Sequence, residues 1–254
     1  MEERDLREHL VLIPGLLCDE AVWAPQVAAL ADVAAIRVAD HGVRDSLGAM
    51  AEAIIAGAPA RFAVAGHSMG GRVALEVIRR APARVTGLAL LDTGYTPLPT
   101  GDAGRREAQG RHDLLELARA EGMRAVGRRW LRIPMIHASR VRDQPLIDGI
   151  LDMFERRTPE QFAAQIRALL ARPDATDVLQ SVAVPALVLC GREDAWSQLA
   201  QHRAMAEMIA GSTLLSVPEC GHMSTLECPD AVNRALRGWL RAVRQAAAPL
   251  VRGG

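Results

Sequence analysis

The chain contains no lysine, and all 30 of its basic residues are arginine. An equal number of acidic residues, 30, brings the formal net charge to zero. Proteins that bind nucleic acid or an anionic membrane surface carry an excess of positive charge. The balanced composition therefore predicts neither nucleic acid nor a membrane as a partner. We interpret the missing lysine as coding bias without functional weight.

Aromatic residues and cysteines are also few. With one tyrosine and three phenylalanines, the chain offers little surface on which a sugar or a base could stack. Its four cysteines, which are Cys18, Cys190, Cys220 and Cys228, lack the Cys-x-x-Cys spacing of metal and redox sites. Cys220 and Cys228 flank one loop and could pair, although a disulfide is not expected in a cytoplasmic protein. No cluster of metal ligands is visible, so we expect no metal and no cofactor.

Long apolar runs are absent as well. No run reaches the roughly 20 residues of a membrane span, and residues 2–5 are all charged, unlike the start of a signal peptide. We therefore expect a cytoplasmic protein. A chain of 254 residues, of which 50% are hydrophobic, is long enough to form one large α/β domain.

The most informative stretch of the chain is Gly66–Gly71, which contains the pattern G-x-S-x-G. An apolar strand-like run, Arg61–Ala65, precedes it, and a helical pattern begins at Gly71. A serine in a tight turn from strand to helix must adopt a strained backbone, and glycines two residues away on either side remove the clashes. The pattern could arise by chance in a chain with 21 glycines. Because the flanking strand and helix are the context that a nucleophile elbow requires, we predict that Ser68 is a nucleophile.

A serine nucleophile needs a base that takes its proton and a third group that fixes the tautomer of the base. When the serine lies between a strand and a helix, the chain order is serine, then an acid, then histidine. Of the seven histidines, only His222 follows a predicted strand, Gly211–Val217, in a glycine-containing loop. His67 directly precedes the serine, and we expect it to pack nearby without acting as the base. His222 is the predicted base.

The acid should follow another strand, because functional groups of open parallel sheets lie past the carboxyl ends of the strands. The predicted strand Val184–Cys190 is followed within a few residues by Asp194. Asp194 is therefore the favoured acid. Glu193, next to it, and Asp92, which ends the predicted strand Val85–Leu91, remain alternatives.

An oxyanion hole needs two backbone N–H groups near the developing negative charge. One should belong to Met69, the residue after the nucleophile, and the other to the loop after the first strand, His9–Ile13. In that loop, Gly15 can adopt backbone angles that turn the next N–H group inward. Leu16 is therefore the predicted second donor, with Leu17 as the alternative.

Taken together, these motifs resemble the α/β-hydrolase superfamily, and in particular its small capped esterases and lactonases. The matching pieces, in chain order, are Pro14-Gly15-Leu16 with Trp23, Gly66–Gly71, Gly191–Asp194, and Gly221-His222 with Pro229. They span nearly the whole chain, with 126 residues from Ser68 to Asp194 and 28 from Asp194 to His222. The resemblance implies an α/β-hydrolase fold, a serine–histidine–aspartate triad and no cofactor.

Two features depart from the pattern of this superfamily. Pro14 stands where a histidine is common, so the loop that carries the oxyanion donor must be held differently. Only eight residues precede the first predicted strand, which leaves no room for the usual antiparallel hairpin. We therefore expect about six parallel strands instead of eight mixed ones.

Strand and helix patterns alternate along most of the chain, which predicts a parallel sheet with helices on both faces. The alternation stops between Tyr95 and Asp174, where four helical stretches follow one another. These stretches are Arg105–Ala120, Met123–Trp130, Pro145–Arg156 and Pro159–Ala171, the last with Thr158 as its N-cap. We expect residues 95–174 to form a helical cap, inserted into a core made of residues 1–94 and 175–254. The tail from Ala246 to Gly254 is expected to fray.

Apolar residues of the cap and the first loop are candidates for a substrate pocket. They are Leu17, Trp130, Ile133, Met135, Ile136, Met153 and Phe154. For each of them, a place in the core of the cap is the alternative.

These features predict a serine hydrolase that cleaves a carboxylic ester or lactone of a small to medium apolar substrate. Acyl transfer, hydrolysis of a carbon–carbon bond and cofactor-free haloperoxidase or perhydrolase chemistry could use the same triad. A ligand receptor that has lost turnover is a further alternative. The sequence gives no indication of the oligomeric state.

Overall fold

A computed structural model describes residues 7–247, and the part of the predicted frayed tail beyond Ala247 lies outside them. In this range six strands form one parallel sheet in the order β2-β1-β3-β4-β5-β6. The strands are β1 (Glu8–Ile13), β2 (Ala34–Val38), β3 (Phe62–His67), β4 (Val85–Leu91), β5 (Ala186–Gly191) and β6 (Thr213–Val217). The predicted parallel sheet is confirmed, and the five strands bounded in the sequence (β1 and β3–β6) begin and end within about two residues of their predicted bounds.

Eleven α-helices accompany the sheet in the described part of the chain. They are α1 (Ala24–Leu30), α2 (Leu47–Gly57), α3 (Met69–Arg80), α4 (Gly101–Glu121), α5 (Met123–Leu131), α6 (Gln144–Glu155), α7 (Pro159–Leu170), α8 (Thr176–Ser181), α9 (Leu199–Met208), α10 (Ser224–Glu227) and α11 (Pro229–Ala247). Short 3-10 turns cover Glu20–Trp23, Pro82–Arg84 and Ala138–Arg140.

The sheet is covered on both faces, and alternate strand residues belong to different cores. Val64 and Val188 pack with α2, α3, α8 and α9 on one face. Ala65 and Leu187 pack with α1, α11 and apolar residues of α4–α7 on the other. Because both faces are covered, the central strands β3, β4 and β5 are buried along their whole length. This explains why they read as continuous apolar runs in the sequence.

The four helices α4–α7 lie between β4 and β5 in the chain, where the alternation of the sequence stops. The segment leaves and rejoins the sheet at one point, because the Ala175 N–H group donates to the Tyr95 carbonyl (3.1 Å). Inside it, the Trp130 ring packs edge-on against Phe154 and Phe162, with centroids 5.4 and 5.9 Å apart. The helices thus form a layer with its own aromatic centre.

The start of α7 is fixed by its sequence. The Thr158 hydroxyl accepts a hydrogen bond from the Gln161 N–H group (3.2 Å), and the Gln161 side chain accepts one from the Thr158 N–H group (3.0 Å). This reciprocal pair satisfies N–H groups that the first turn of a helix leaves free. Pro159 follows as the first helical residue, as predicted.

Within residues 7–247, no helix has both the length and the apolarity to cross a membrane. The cytoplasmic location stays a prediction. The four cysteines are free thiols, so the possible pairing of Cys220 with Cys228 is not formed. The same residues contain no group of three or more potential metal ligands.

Candidate active site

The turn between β3 and α3 holds Ser68 in a conformation that few residues adopt. Its φ of 54° and ψ of −119° lie outside the regions favoured by residues with a side chain. A Cβ atom at Gly66 would collide with the carbonyl of Gly70, and one at Gly70 with the carbonyls of Ile13 and Pro14. Both glycines of the motif are therefore required by backbone packed directly against them.

The structure brings Ser68, His222 and Asp194 together as one hydrogen-bonded chain, called the triad below. The Nε2 atom of His222 lies 2.9 Å from the Ser68 hydroxyl, and its Nδ1 atom lies 2.8 Å from Asp194 Oδ2. The other oxygen of Asp194 accepts the N–H groups of Trp196 (2.8 Å) and Ser197 (2.9 Å). These two bonds fix the carboxylate, and the carboxylate fixes the imidazole.

The two alternative acids face elsewhere. Glu193 is exposed, and its carboxylate accepts the N–H group of Cys220 (3.1 Å). Asp92 is fully buried behind the triad, where it accepts hydrogen bonds from the Gly191 N–H group (2.9 Å) and the Ser224 hydroxyl. Neither carboxylate is hydrogen-bonded to the triad imidazole.

Opposing effects set the ionisation of the triad. Burial by itself would lower the pKa of His222, but the charge of Asp194 and the hydrogen bond to it raise that pKa above its ordinary value. Burial would raise the pKa of Asp194, yet His222 and the bonded N–H groups hold it below its ordinary value. Asp194 is therefore ionised at neutral pH and accepts the Nδ1 proton of His222. The Nε2 lone pair is left for the proton of Ser68.

His67 packs against His222, as the sequence predicted. Its Nε2–H group donates to the backbone carbonyl of His222 (2.8 Å), and the two rings lie 5.4 Å apart. Burial lowers the pKa of His67 to about 4, so its ring is neutral at neutral pH. Asp92 Oδ2 lies 3.7 Å from the same Nε2 atom of His67. Burial, together with the charge of Asp194, raises the pKa of Asp92 well above its ordinary value.

The two predicted oxyanion donors are Leu16, in the loop after β1, and Met69, the first residue of α3. Among the described residues, the N–H groups of Leu16 and Met69 have no hydrogen-bond acceptor, and both residues line the cavity beside Ser68. The alternative donor, Leu17, is occupied because its N–H group donates to the side-chain oxygen of Gln165 on α7 (2.8 Å). This leaves Leu16 and Met69 free for a ligand.

The reason for the glycine in this loop differs from the expected one. The left-handed backbone lies at Leu17, with a φ of 63°, and not at Gly15. Gly15 is needed for close approach, since a Cβ atom there would lie 3.1 Å from both Ser68 Cβ and His67 Nδ1. Its carbonyl also accepts the Cys18 N–H group (3.1 Å), which closes the turn.

Side chains from other elements hold the loop that begins at Pro14. The imidazole of His41, which is buried, lies 3.0 Å from the Pro14 carbonyl. The Arg157 guanidinium donates to the Cys18 carbonyl (3.0 Å). The loop after β1 is thus anchored by Gln165 on α7, by Arg157 just before α7, and by His41 in the loop after β2.

A cavity of about 660 Å³ opens above Ser68, between the sheet and helices α4–α7. Four of the seven predicted pocket residues line it, which are Trp130, Ile133, Met135 and Phe154. Leu17, Ile136 and Met153 do not reach the cavity, because they are packed into the core with at most 5% of their surface exposed.

Sequence reasoning missed Trp196, which covers the base. Its ring lies 5.0 Å from the His222 ring and 5.4 Å from that of Trp130, so it bridges the triad and α5. Its position two residues after Asp194 was the available signal. The sequence analysis also did not predict that five arginines and two carboxylates line the cavity.

Glu227 ties the His222 loop to the helical layer. Its buried carboxylate accepts three backbone N–H groups, from Gly221 (3.0 Å), Met223 (2.9 Å) and His137 (2.7 Å). Burial raises its pKa above the ordinary value, while the three donors act in the opposite direction. The first two donors flank the base, and the third belongs to the segment between α5 and α6.

The same segment contacts the base loop through its backbone. The His222 N–H group donates to the Met135 carbonyl (2.8 Å). A Cβ atom at Gly221 would lie only 2.8 Å from that carbonyl and 2.9 Å from the His137 nitrogen. The position of the base therefore depends on the position of residues 135–137.

The sequence profile of the alpha/beta hydrolase family matches residues 10–235. The chain belongs to this family. A synthase for 2-succinyl-6-hydroxy-2,4-cyclohexadiene-1-carboxylate from Serratia proteamaculans is 31% identical over 184 residues, which cover 71% of this chain and 68% of the synthase.

Two solved structures are similar along nearly the whole chain. A thermophilic esterase from Thermogutta terrifontis has a TM-score of 0.81 and 29% identity, covering 93% of this chain and 90% of the esterase. An enol-lactonase from Burkholderia xenovorans has a TM-score of 0.80 and 25% identity, covering 94% of each chain. The predicted α/β-hydrolase fold and the prediction of an esterase-like enzyme are confirmed at the level of the family.

Replacing Asp194 by Asn should change the pH dependence of catalysis as well as its rate. The negative charge of Asp194 raises the pKa of His222, so its loss should move the rising limb of kcat/KM to lower pH. The plateau should fall by on the order of 10⁴-fold, because the imidazole tautomer is no longer fixed. A pH profile of ester hydrolysis measures both effects. Glu193→Gln is the matched control, and a larger loss in Asp92→Asn would contradict the assignment of the acid.

Replacing Glu227 by Gln should lower kcat more than it changes KM and should also lower the Tm. A glutamine offers one acceptor oxygen to three N–H groups, and each buried N–H group left without an acceptor costs about 1–3 kcal/mol. The readouts are ester kinetics and thermal unfolding. Glu193→Gln, which changes the same side chain at an exposed site, should be close to wild type. Wild-type kcat and Tm in Glu227→Gln would show that the three bonds do not position the base.

Proposed function

We propose that the protein is a serine hydrolase that cleaves a carboxylic ester or a lactone of small to medium size. The observation that carries this proposal is the hydrogen-bonded chain from Ser68 to Asp194, which ends under a cavity beside two free N–H groups. A nucleophile, a base with a fixed tautomer and two donors for an oxyanion are the groups that acyl transfer from an ester requires.

In the proposed reaction, Ser68 attacks the ester carbonyl while His222 takes its proton at Nε2. Asp194 stabilises the imidazolium through Nδ1 and remains ionised. The N–H groups of Leu16 and Met69 bind the oxyanion of the tetrahedral intermediate. The imidazolium then gives its proton to the leaving alcohol, and an acyl-enzyme remains on the serine. Water, deprotonated by the same imidazole, releases the acid.

We assign residues 95–174 the role of a cap over this site. Trp130, Met135 and Phe154 would contact the substrate from the cap, and Trp196 would contact it from the core. The similarity to an esterase and an enol-lactonase supports an ester or a lactone as the substrate. The similarity to a synthase keeps other uses of the same triad open, and added acceptors test them below.

The proposal is tested with p-nitrophenyl esters of graded chain length and with simple γ- and δ-lactones, each with and without an added alcohol or peroxide. Wild-type protein should hydrolyse at least one class, and Ser68→Ala should lower kcat by on the order of 10⁴-fold or more, because triad members act as a unit. Ser181→Ala, an exposed serine at the end of α8, is the matched control. Folded wild-type protein without turnover of any ester or lactone would overturn the proposal. Faster release with alcohol or peroxide than with water would instead indicate acyl transfer or perhydrolysis.

A further inference from the structure

The cavity above Ser68 carries an excess of positive charge that an apolar substrate does not explain. Five arginines line it, which are Arg72, Arg106, Arg111, Arg129 and Arg172. Only two carboxylates, Glu107 and Asp113, line it with them. Arg106 and Arg129 are exposed at the rim, whereas the other three arginines are at least half-buried.

Two of the inner arginines share one carboxylate. Glu107 accepts hydrogen bonds from both terminal nitrogens of Arg172 (2.7 and 2.8 Å) and from two nitrogens of Arg111 (2.8 and 3.0 Å). These hydrogen bonds and charges lower the pKa of Glu107 to about 2, against the opposing effect of its burial. The carboxylate is therefore ionised, and the trio keeps one net positive charge.

The third inner arginine, Arg72, has no carboxylate partner. In the range 7–247, no carboxylate oxygen comes within 4.0 Å of its guanidinium, which donates to the backbone carbonyl of Thr96 (2.8 Å). Burial, with the charges of nearby Arg172 and Arg111, lowers its pKa to about 9, so it is still charged at neutral pH. A half-buried charge without a counter-ion is costly, and an anion in the cavity would offset that cost.

Arg72 is also close to the nucleophile along the chain. It lies four residues after Ser68, on helix α3, which begins at Met69. Both residues line the same cavity. A ligand in this cavity can therefore contact both the Arg72 guanidinium and the Ser68 hydroxyl.

We propose that the substrate carries a free carboxylate, which binds the guanidinium of Arg72 while Ser68 attacks an ester or lactone bond elsewhere in the same molecule. Arg111 and Arg172 add to the positive field around it. A planar guanidinium suits a carboxylate because two parallel N–H groups can bind both of its oxygens. This inference rests on the proposed function and narrows its substrate to half-esters of dicarboxylic acids and esters or lactones of similar charge.

The test compares pairs of esters that differ in charge and have nearly the same shape. One pair is the p-nitrophenyl half-ester of glutaric acid and p-nitrophenyl 5-methylhexanoate, in which an isopropyl group replaces the carboxylate. A second pair places the carboxylate on the leaving group, as 4-carboxyphenyl acetate against 4-isopropylphenyl acetate. Uncatalysed rates are subtracted, because a neighbouring carboxylate itself speeds release. In wild type, at least one charged ester should have a kcat/KM about tenfold or more above its neutral partner.

Variants assign the preference to a residue. Arg72→Gln should bring the ratio of charged to neutral ester close to one, and Arg72→Lys should keep part of it. Arg128→Gln removes an exposed arginine that does not line the cavity, and it should keep the wild-type ratio. Neutral esters cleaved as well as charged ones in both pairs, with Ser68 required, would overturn this inference and leave the proposed function standing. An equal ratio in wild type and Arg72→Gln would overturn it as well.

Calorimetric titration with adipate tests carboxylate binding without turnover, because adipate has no ester or lactone bond to cleave. Binding to wild type that is lost in Arg72→Gln supports the carboxylate site even if no ester is hydrolysed. Absence of adipate binding together with absence of a charge preference overturns it. Inorganic phosphate is titrated in parallel, and phosphate that binds more tightly than adipate through Arg72 would contradict a carboxylate as the ligand.

Discussion

The contact between the Ser68 turn and the end of β1 is the constraint on which the rest of the site depends. Gly70 lies so close to the carbonyls of Ile13 and Pro14 that no side chain fits between them. This contact holds Ser68 in its strained conformation and brings Leu16 and Met69 to the same cavity. Such strain persists only where the surroundings determine the backbone completely. Here two parallel strands and the first turn of α3 do so.

The base is held from three directions: from the loop after β5, from the end of β3, and from α10, which follows the base in the chain. Asp194 fixes the imidazole ring, His67 binds the backbone carbonyl of His222 from below, and Glu227 holds the amides on either side. The Glu227 carboxylate also accepts the N–H group of His137, in the segment between α5 and α6. A shift of the helical layer that shapes the cavity would therefore also shift the base. In this arrangement the shape of the cavity and the position of His222 are physically coupled.

Local sequence signals were sufficient for the strands and for the residues of the triad. Buried parallel strands are apolar along their length, and Ser68 follows β3 directly, Asp194 follows β5 within a turn, and His222 lies in the loop after the edge strand β6. Contacts between distant segments left no comparable signal. Leu17 and Met153 look like pocket residues in the sequence, but packing turns them into the core. Arg72, one of three arginines on α3, could equally have faced solvent, and only the position of helices α4–α7 places it at the cavity.

The central claim is that Ser68 is a nucleophile activated by an assembled site. A fluorophosphonate measures this most directly, because it reacts with a serine whose base is aligned and whose oxyanion donors bind its phosphoryl oxygen. Intact-mass and peptide spectra should show one label per chain, on Ser68, with a rate that rises as His222 loses its proton. His222→Ala should label far more slowly, and Ser68→Ala not at all. A folded wild-type protein that stays unlabelled, or that is labelled at another residue, would contradict the account.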